Sequence, residues 1–413
     1  MPDTYRPRLV DPLLDGLLTE FPAISLIGPR ASGKTTTALR HAKTVVRLDR
    51  PDEAAIFRTD PDAALRGLPE PIVLDEWQDA PAVLGAVKRS VDVDPRPGRF
   101  ILTGSVRAEL DTQTWPGTGR VIQVPMTGLS VRETQGDITG EAFIDRIVKT
   151  GIDSLGTPDS PLDVRDYVEL GLAGTFPEPA LRLSVAGRRR WMASYVSEVV
   201  TRDALAIEAR RDPQRLRRFF DVLAVHSAEV TDLATLIQGA GIDRKTAIAY
   251  ESLLRNMFIV DSVPAWFTNR LKRLVQGPKR YLVDPALVAA STGSDADGVL
   301  LDPHLLGQII DTFVAAQLRA ELPLSAWDAR MFHLRQEGGR REVDLLIEVA
   351  GNRVIGIEVK ASGVPQFEAG RHLAWLRDDL GDKFVYGIVF YTGPRIQPLG
   401  ERIAAVPISA LWS

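Results

Sequence analysis

Short apolar runs that stop abruptly on glycine or polar residues punctuate the first third of the chain. Ala23 to Ile27 lies between Pro22 and Gly28, Ile72-Val73-Leu74 ends on the adjacent carboxylates Asp75 and Glu76, and Phe100-Ile101-Leu102 ends on Thr103, Gly104 and Ser105. Runs of this length bounded by turn residues are the pattern of buried parallel strands. Thr35 to Val45, after the first run, has helical composition, so the N-terminal part reads as an α/β domain with a parallel sheet flanked by helices. Near the other end the period changes to two. Val343, Leu345, Ile347 and Val349 share one face opposite Asp344, and Ile355, Ile357 and Val359 share one opposite Glu358 and Lys360. A two-residue turn at Gly351-Asn352 pairs Leu345 with Glu358 and mixes the faces. A three-residue turn through Arg353 pairs Leu345 with Val359 and Asp344 with Lys360, so the apolar pattern selects it and gathers Asp344, Glu358 and Lys360.

Between these regions, Gly136 to Leu162 is rich in Gly, Asp and Thr and closes the first domain. The following helical stretch carries Arg188 to Arg190, Arg210, Arg211, Arg215, Arg217 and Arg218, a pattern more typical of solvated faces paired with Glu198, Asp203 and Glu208 than of phosphate contacts. Thr231 is placed to cap a short helix, Gly239 and Gly241 to make a tight turn, and a second helix opens near Asp243 with Arg244, Lys245 and Thr246 in its first turn. This is helix-turn-helix spacing. Two strands and a basic loop with Arg270, Lys272, Arg273, Lys279 and Arg280 follow, resembling the wing of a winged-helix domain. Two readings stand: Arg244 and Lys245 on DNA with the wing on the backbone, or a protein-protein module. The expected division is 1–145, a connector 146–213, a winged-helix-like part 214–294, and a C-terminal α/β domain 295–413.

Composition narrows the classes. At 413 residues the chain exceeds what one core usually serves, and 45% hydrophobic content is ample for several. A net charge of -4 gives no global pull toward nucleic acid, so such contact must come from a local patch. Zero cysteines exclude disulfides and thiolate metal sites. No apolar run approaches a membrane span and the first residues lack a signal-peptide core, so a cytoplasmic protein without membrane contact is expected.

The turn after the first run carries the clearest chemistry. Gly28, Gly33, Lys34 and Thr35 fit G-x-x-x-x-G-K-[ST], and strand, loop and helix follow in the required order. The loop Gly28, Pro29, Arg30, Ala31, Ser32, Gly33, Lys34, Thr35 and Thr36 is therefore assigned to the phosphates of a nucleotide. Lys34 neutralises the β and γ oxygens and the Thr35 hydroxyl ligates Mg²⁺. Asp75, at a strand's carboxyl end, meets the Mg²⁺ shell; Glu76 orients or deprotonates the attacking water; Thr103 or Ser105 bonds the γ-phosphate or the water. Arg120 is a candidate transition-state cation.

These stretches resemble the AAA-type ATPases that carry a C-terminal domain of unknown function, in "FPAISLIGPRASGKTT", "VLDEWQDAP" and "FILTGS". The resemblance spans nearly the whole chain and implies ATP and Mg²⁺ binding by Lys34, Thr35, Asp75 and Glu76, with Gln78 and Pro81 as landmarks of unassigned purpose. Oligomers are common in this class because a neighbour often supplies an arginine, so a homo-oligomer is an expectation. The C-terminal hairpin resembles the PD-(D/E)-x-K restriction-endonuclease superfamily, in which acids hold Mg²⁺ and the lysine assists the water. A preceding helix capped by Asp302 offers Asp311, where related chains usually show glutamate. The alternative is a nuclease ancestry turned to scaffold. The leading expectation is a Mg²⁺-dependent ATPase whose nucleotide state controls a C-terminal module acting on duplex DNA; its rival is a nucleotide-controlled switch or adaptor that binds a protein and has no nuclease chemistry.

Overall fold

The computed structural model describes residues 5–106, 118–156, 161–204, 212–267, 277–336, 339–365 and 367–413. The chain forms two compact units. The first comprises Met1–Leu129, Glu133–Ile138 and Asn256–Ile259. Its sheet is made of β1 (Ala23–Ile27), β2 (Thr44–Arg47), β3 (Ile72–Asp75), β4 (Phe100–Gly104) and β5 (Val121–Pro125), all parallel, in the order β2-β3-β4-β1-β5. Alternate side chains of these strands enter different cores. Ile24, Leu26, Val73 and Ile101 pack with Leu14 of the helix Asp11–Glu20, whereas Leu74, Phe100 and Leu102 pack with Leu84 and Val87 of the helix Val83–Val93. Covering both faces explains why the strands read as continuous apolar runs. Because β4 separates β1 from β3, their carboxyl ends form one row and bring the phosphate loop, Asp75 and Thr103 to the same edge.

The helix after the loop is shorter than its composition suggests, Lys34–Ala38. The amides of Lys43 and Thr44 both donate to the Pro71 carbonyl, at 2.9 and 3.2 Å, and draw the β-branched Thr44-Val45-Val46 into pairing with β3.

The second unit comprises Ser130–Arg132, Thr139–Arg255 and Val260–Ser413, so the connector, helix-turn-helix and C-terminal segments gather into one body. The helices Leu233–Ala240 and Arg244–Asn256 precede an antiparallel pair, β6 (Val260–Val263) and β7 (Lys279–Leu282), with a bridge from Glu229 to Arg280. The first of these helices is capped by Asp232 rather than Thr231: the Asp232 carboxylate accepts the Thr235 amide at 2.7 Å. Three arginines of the preceding helices pair with acids outside the expected set: Arg189 with Asp295 at 3.7 Å, Arg215 with Asp212 at 3.4 Å and Arg217 with Asp221 at 3.0 Å. Arg210, Arg211, Glu208 and the side chain of Asp203 lie outside the described residues. Among the described residues no helix is long and apolar enough to cross a membrane.

A six-stranded sheet completes this unit in the order β12 (Gln397–Gly400), β13 (Ile403–Pro407), β11 (Phe384–Tyr391), β10 (Arg353–Lys360), β9 (Arg341–Val349), β8 (Arg330–Gln336). The β9-β10 hairpin differs from the expected register. Val349 pairs with Arg353 and Leu345 with Ile357, leaving Ala350-Gly351-Asn352 as the loop. The Ala350 amide donates to the Trp327 carbonyl at 2.8 Å instead of the ladder, and Gly351 (φ 82°) and Asn352 (φ 56°) supply the left-handed turn. The two-residue shift keeps every side chain on its face, so the alternation alone does not distinguish the registers. Continued by one pair, it sets Asp344 across from Glu358 instead of Lys360.

Candidate active site

The phosphate loop is held by backbone geometry that its residues permit. Gly33 adopts φ 96° ahead of the short helix, and a Cβ on Gly28 would lie 2.0 Å from the Met126 carbonyl oxygen. Lys34 is 4% exposed, and its ammonium donates to the Pro29 carbonyl at 2.7 Å. Burial lowers its pKa to about 8, against the opposing pull of Glu76 and Asp75. Ser32 Oγ is buried without a hydrogen-bond partner. A buried cation resting on a backbone carbonyl and an orphaned hydroxyl in one glycine loop are the unmet demands that phosphate oxygens satisfy.

Asp75, 4% exposed at the end of β3, accepts hydrogen bonds at Oδ1 from the hydroxyls of Thr35, at 2.7 Å, and Thr103. Thr35 and Asp75 are thus adjacent oxygen donors of the hard kind that suits Mg²⁺. Thr103 also accepts the Glu76 amide at 3.3 Å, so it positions the two acids. The Ser105 hydroxyl donates to Glu76 Oε2 at 3.2 Å. Glu76 itself takes a left-handed φ of 52°, a conformation that costs energy outside glycine and turns its side chain away from the strand direction.

Two residues gain roles that composition did not reveal. The Gln78 amide donates to Glu76 Oε2 and, at 3.4 Å, to Ser105 Oγ, so the landmark glutamine orients the carboxylate assigned to water. Arg8 is buried, with Nε on Glu133 at 2.9 Å and its terminal nitrogens on the carbonyls of Ser32 (2.8 Å), Thr127 (2.9 Å) and Gly128 (3.1 Å). It staples the phosphate loop to the segment after β5. Arg8→Ala takes the guanidinium away from the buried Glu133 carboxylate, which also accepts the Leu9 amide at 2.8 Å, and is expected to destabilise the first unit by about 3–5 kcal/mol, read as a lowered unfolding midpoint.

Arg120 does not reach this edge within its own chain. It precedes Val121, which pairs with Ala23 at the opposite end of β1 from Gly28, and its guanidinium bonds Asp92 at 2.8 Å. The direction of a parallel sheet, invisible in the local motif, separates it from the loop.

The four C-terminal candidates do come together, in the second unit. Lys360 Nζ donates to Glu358 Oε2 at 2.7 Å and lies 3.6 Å from Asp344 Oδ2. Asp311, on the helix Pro303–Glu321, joins them through a residue expected elsewhere: Lys279 Nζ donates to Asp311 Oδ2 at 2.6 Å and lies 3.4 Å from Asp344 Oδ1. Lys279 is therefore not a basic residue of an exposed wing. Arg280 is not one either: it is 7% exposed and bonds Glu251 at 2.9 Å. Arg270, Lys272 and Arg273 lie outside the described residues. Among the described residues no group of three or more acidic or histidine side chains could hold a metal ion.

The first unit has the ordered parts of a P-loop nucleotide-binding domain: strand, glycine loop, lysine and threonine at a helix start, and a second strand ending in paired acids. Comparison with known families agrees. A model described as an AAA domain matches residues 20–135, and two described as domains of unknown function (DUF8612 and DUF4143) match residues 164–298 and 306–411. The first unit thus carries an AAA domain of the P-loop ATP-binding kind, and the rest of the chain matches domains of unknown function. Uncharacterized proteins of Mycobacterium bovis and Mycobacterium tuberculosis are each 27% identical to it over 394 residues, 94% of this chain and 80% of theirs. A Walker-type ATPase of Pyrococcus abyssi aligns with a TM-score of 0.39 and 12% identity over 68% of this chain and 94% of its own.

Proposed function

We propose that the chain is a Mg²⁺-dependent ATPase whose nucleotide state governs what its second unit does, with duplex DNA as that unit's partner. The observation that carries the catalytic part is Asp75 and Glu76 at the strand end beside Lys34 and Thr35, with Thr35 bonded to Asp75. Lys34 would exchange the Pro29 carbonyl for the β and γ oxygens of ATP. Magnesium, held by Thr35 Oγ1 and Asp75, would neutralise the charge that builds on those phosphates. Glu76, aimed by Gln78, would orient the attacking water and take its proton. Thr103 is committed to Asp75, so Ser105, already in contact with Glu76, is the better reporter of the γ-phosphate. With Arg120 remote from the loop in its own chain, a second copy in a homo-oligomer is the proposed source of a transition-state cation.

The DNA reading rests on the helix-turn-helix, read as the core of a winged-helix module. Arg244, Lys245 and Arg255 are exposed on the helix Arg244–Asn256, around Ile248, which is 50% exposed. That is a basic face at helical spacing, as phosphate contact requires. In fluorescence anisotropy with a labelled duplex, replacing both Arg244 and Lys245 by alanine is expected to weaken binding roughly tenfold or more at ~0.1 M salt and to flatten its salt dependence. Unchanged affinity would leave the face to a protein partner. The second reading, a nucleotide-controlled adaptor without nuclease chemistry, is favoured by Lys279 at the C-terminal acids.

A further inference from the structure

Lys279, 2% exposed, is a buried cation that the nucleotide site does not use. Its ammonium meets three oxygens: Asp311 Oδ2 at 2.6 Å, the Asp344 backbone carbonyl at 3.3 Å and Asp344 Oδ1 at 3.4 Å. The Tyr281 hydroxyl, from the same strand, donates to Asp311 Oδ1 at 2.9 Å, so both oxygens of that carboxylate are taken. The side chain of Asp344 is closed off as well. Its Oδ2 accepts the Val359 amide at 2.9 Å and lies 3.6 Å from Lys360 Nζ.

A restriction-endonuclease-like site implies a Mg²⁺ between the acids of the helix and the hairpin. These residues do not fit one. Magnesium demands oxygens at about 2.0–2.1 Å in octahedral array and keeps several waters. Here a lysine enters between Asp311 and Asp344, and a second lysine covers Glu358. The titration behaviour agrees. Burial would raise Asp344, but Lys279 and Lys360 outweigh it and hold the carboxyl at about 2, while burial and the neighbouring Asp344 charge push Glu358 well above the usual carboxylate range. Burial would lower Lys279, yet Asp311 and then Asp344 raise it well above its ordinary value, so it stays charged. The ammonium groups of Lys279 and Lys360 thus meet the carboxylates of Asp311, Asp344 and Glu358 directly, in the space a metal would need.

We infer that Lys279 is a resident cation standing where the superfamily places its metal. The D…E-x-K cluster is an ionic lock that fastens β7 to the helix Pro303–Glu321 and to β9, and it is not a phosphodiesterase centre. The inference is independent of the ATPase reading: both units keep their separate chemistry whichever way it falls.

The test uses the full chain without nucleotide. Mn²⁺ is titrated and followed by loss of the free-ion electron paramagnetic resonance signal, in wild type and Glu358→Gln, a swap that keeps the side-chain shape. The lock gives superimposable isotherms to about millimolar Mn²⁺, since neither protein has a C-terminal ion site to lose. A Mn²⁺ site present in wild type and absent in Glu358→Gln overturns it, as does Mg²⁺-dependent nicking of plasmid DNA that Lys360→Ala abolishes. A double-mutant cycle in denaturant supplies the positive readout. Lys279→Met and Asp311→Asn together should change the unfolding constant at least about tenfold less than the product of their separate effects. Multiplicative effects overturn the lock.

Discussion

Lys34→Ala weakens ATP binding by roughly 10²- to 10³-fold, the loss expected when charge-assisted bonds worth about 3–4 kcal/mol to the β and γ oxygens disappear. The size follows from burial. A lysine 4% exposed is poorly hydrated in the free protein, and its pKa of about 8 records that cost. Phosphate therefore gains a cation that water has already released, in surroundings where screening is weak. Because the ammonium's hydrogen bond runs to the Pro29 carbonyl, its removal breaks no direct ion pair, and the melting temperature should fall only slightly as Asp75 and Glu76 lose a nearby positive charge. Titration with a fluorescent ATP analogue, beside a thermal melt, reads both quantities. Affinity within threefold of wild type would remove the phosphates from this loop.

Glu76→Gln stops turnover and spares binding. The residue is placed to act on water rather than on nucleotide, so a neutral isostere should lower kcat roughly 10²- to 10⁴-fold while the ATP dissociation constant stays within about threefold. The left-handed backbone at Glu76 is unchanged by the swap, and the glutamine can still meet Ser105 and Gln78. Phosphate release under saturating ATP measures the loss. A variant turning over at the wild-type rate would move the base elsewhere.

The parts of this site legible in the sequence are those whose chemistry is local. Gly28 to Thr36 and the pair Asp75-Glu76 each sit at the end of an apolar run, and a parallel sheet carries such ends to one edge. Contacts across long stretches of chain leave no spacing to read: Arg8 and Glu133 are 125 residues apart, and neither lies in a motif. The choice between Thr103 and Ser105 depends on which hydroxyl Asp75 captures, a matter of strand order. The hairpin shows a third kind of limit, because a two-residue slip preserves the alternation that was used to set its register. Lys279 is the largest departure. A lysine opening a strand after a basic loop has the composition of a DNA-facing wing, and only the packing of β7 against the helix Pro303–Glu321 carries its ammonium to Asp311.

The most direct test of the nucleotide site is a single-turnover experiment. Excess protein is mixed with ATP and phosphate release is followed for wild type and Glu76→Gln, in Mg²⁺ and in a chelator. Release by wild type in Mg²⁺ alone is the result expected of a hydrolytic centre made by Lys34, Thr35, Asp75 and Glu76. Equal release by Glu76→Gln, or release that survives the chelator, would contradict it.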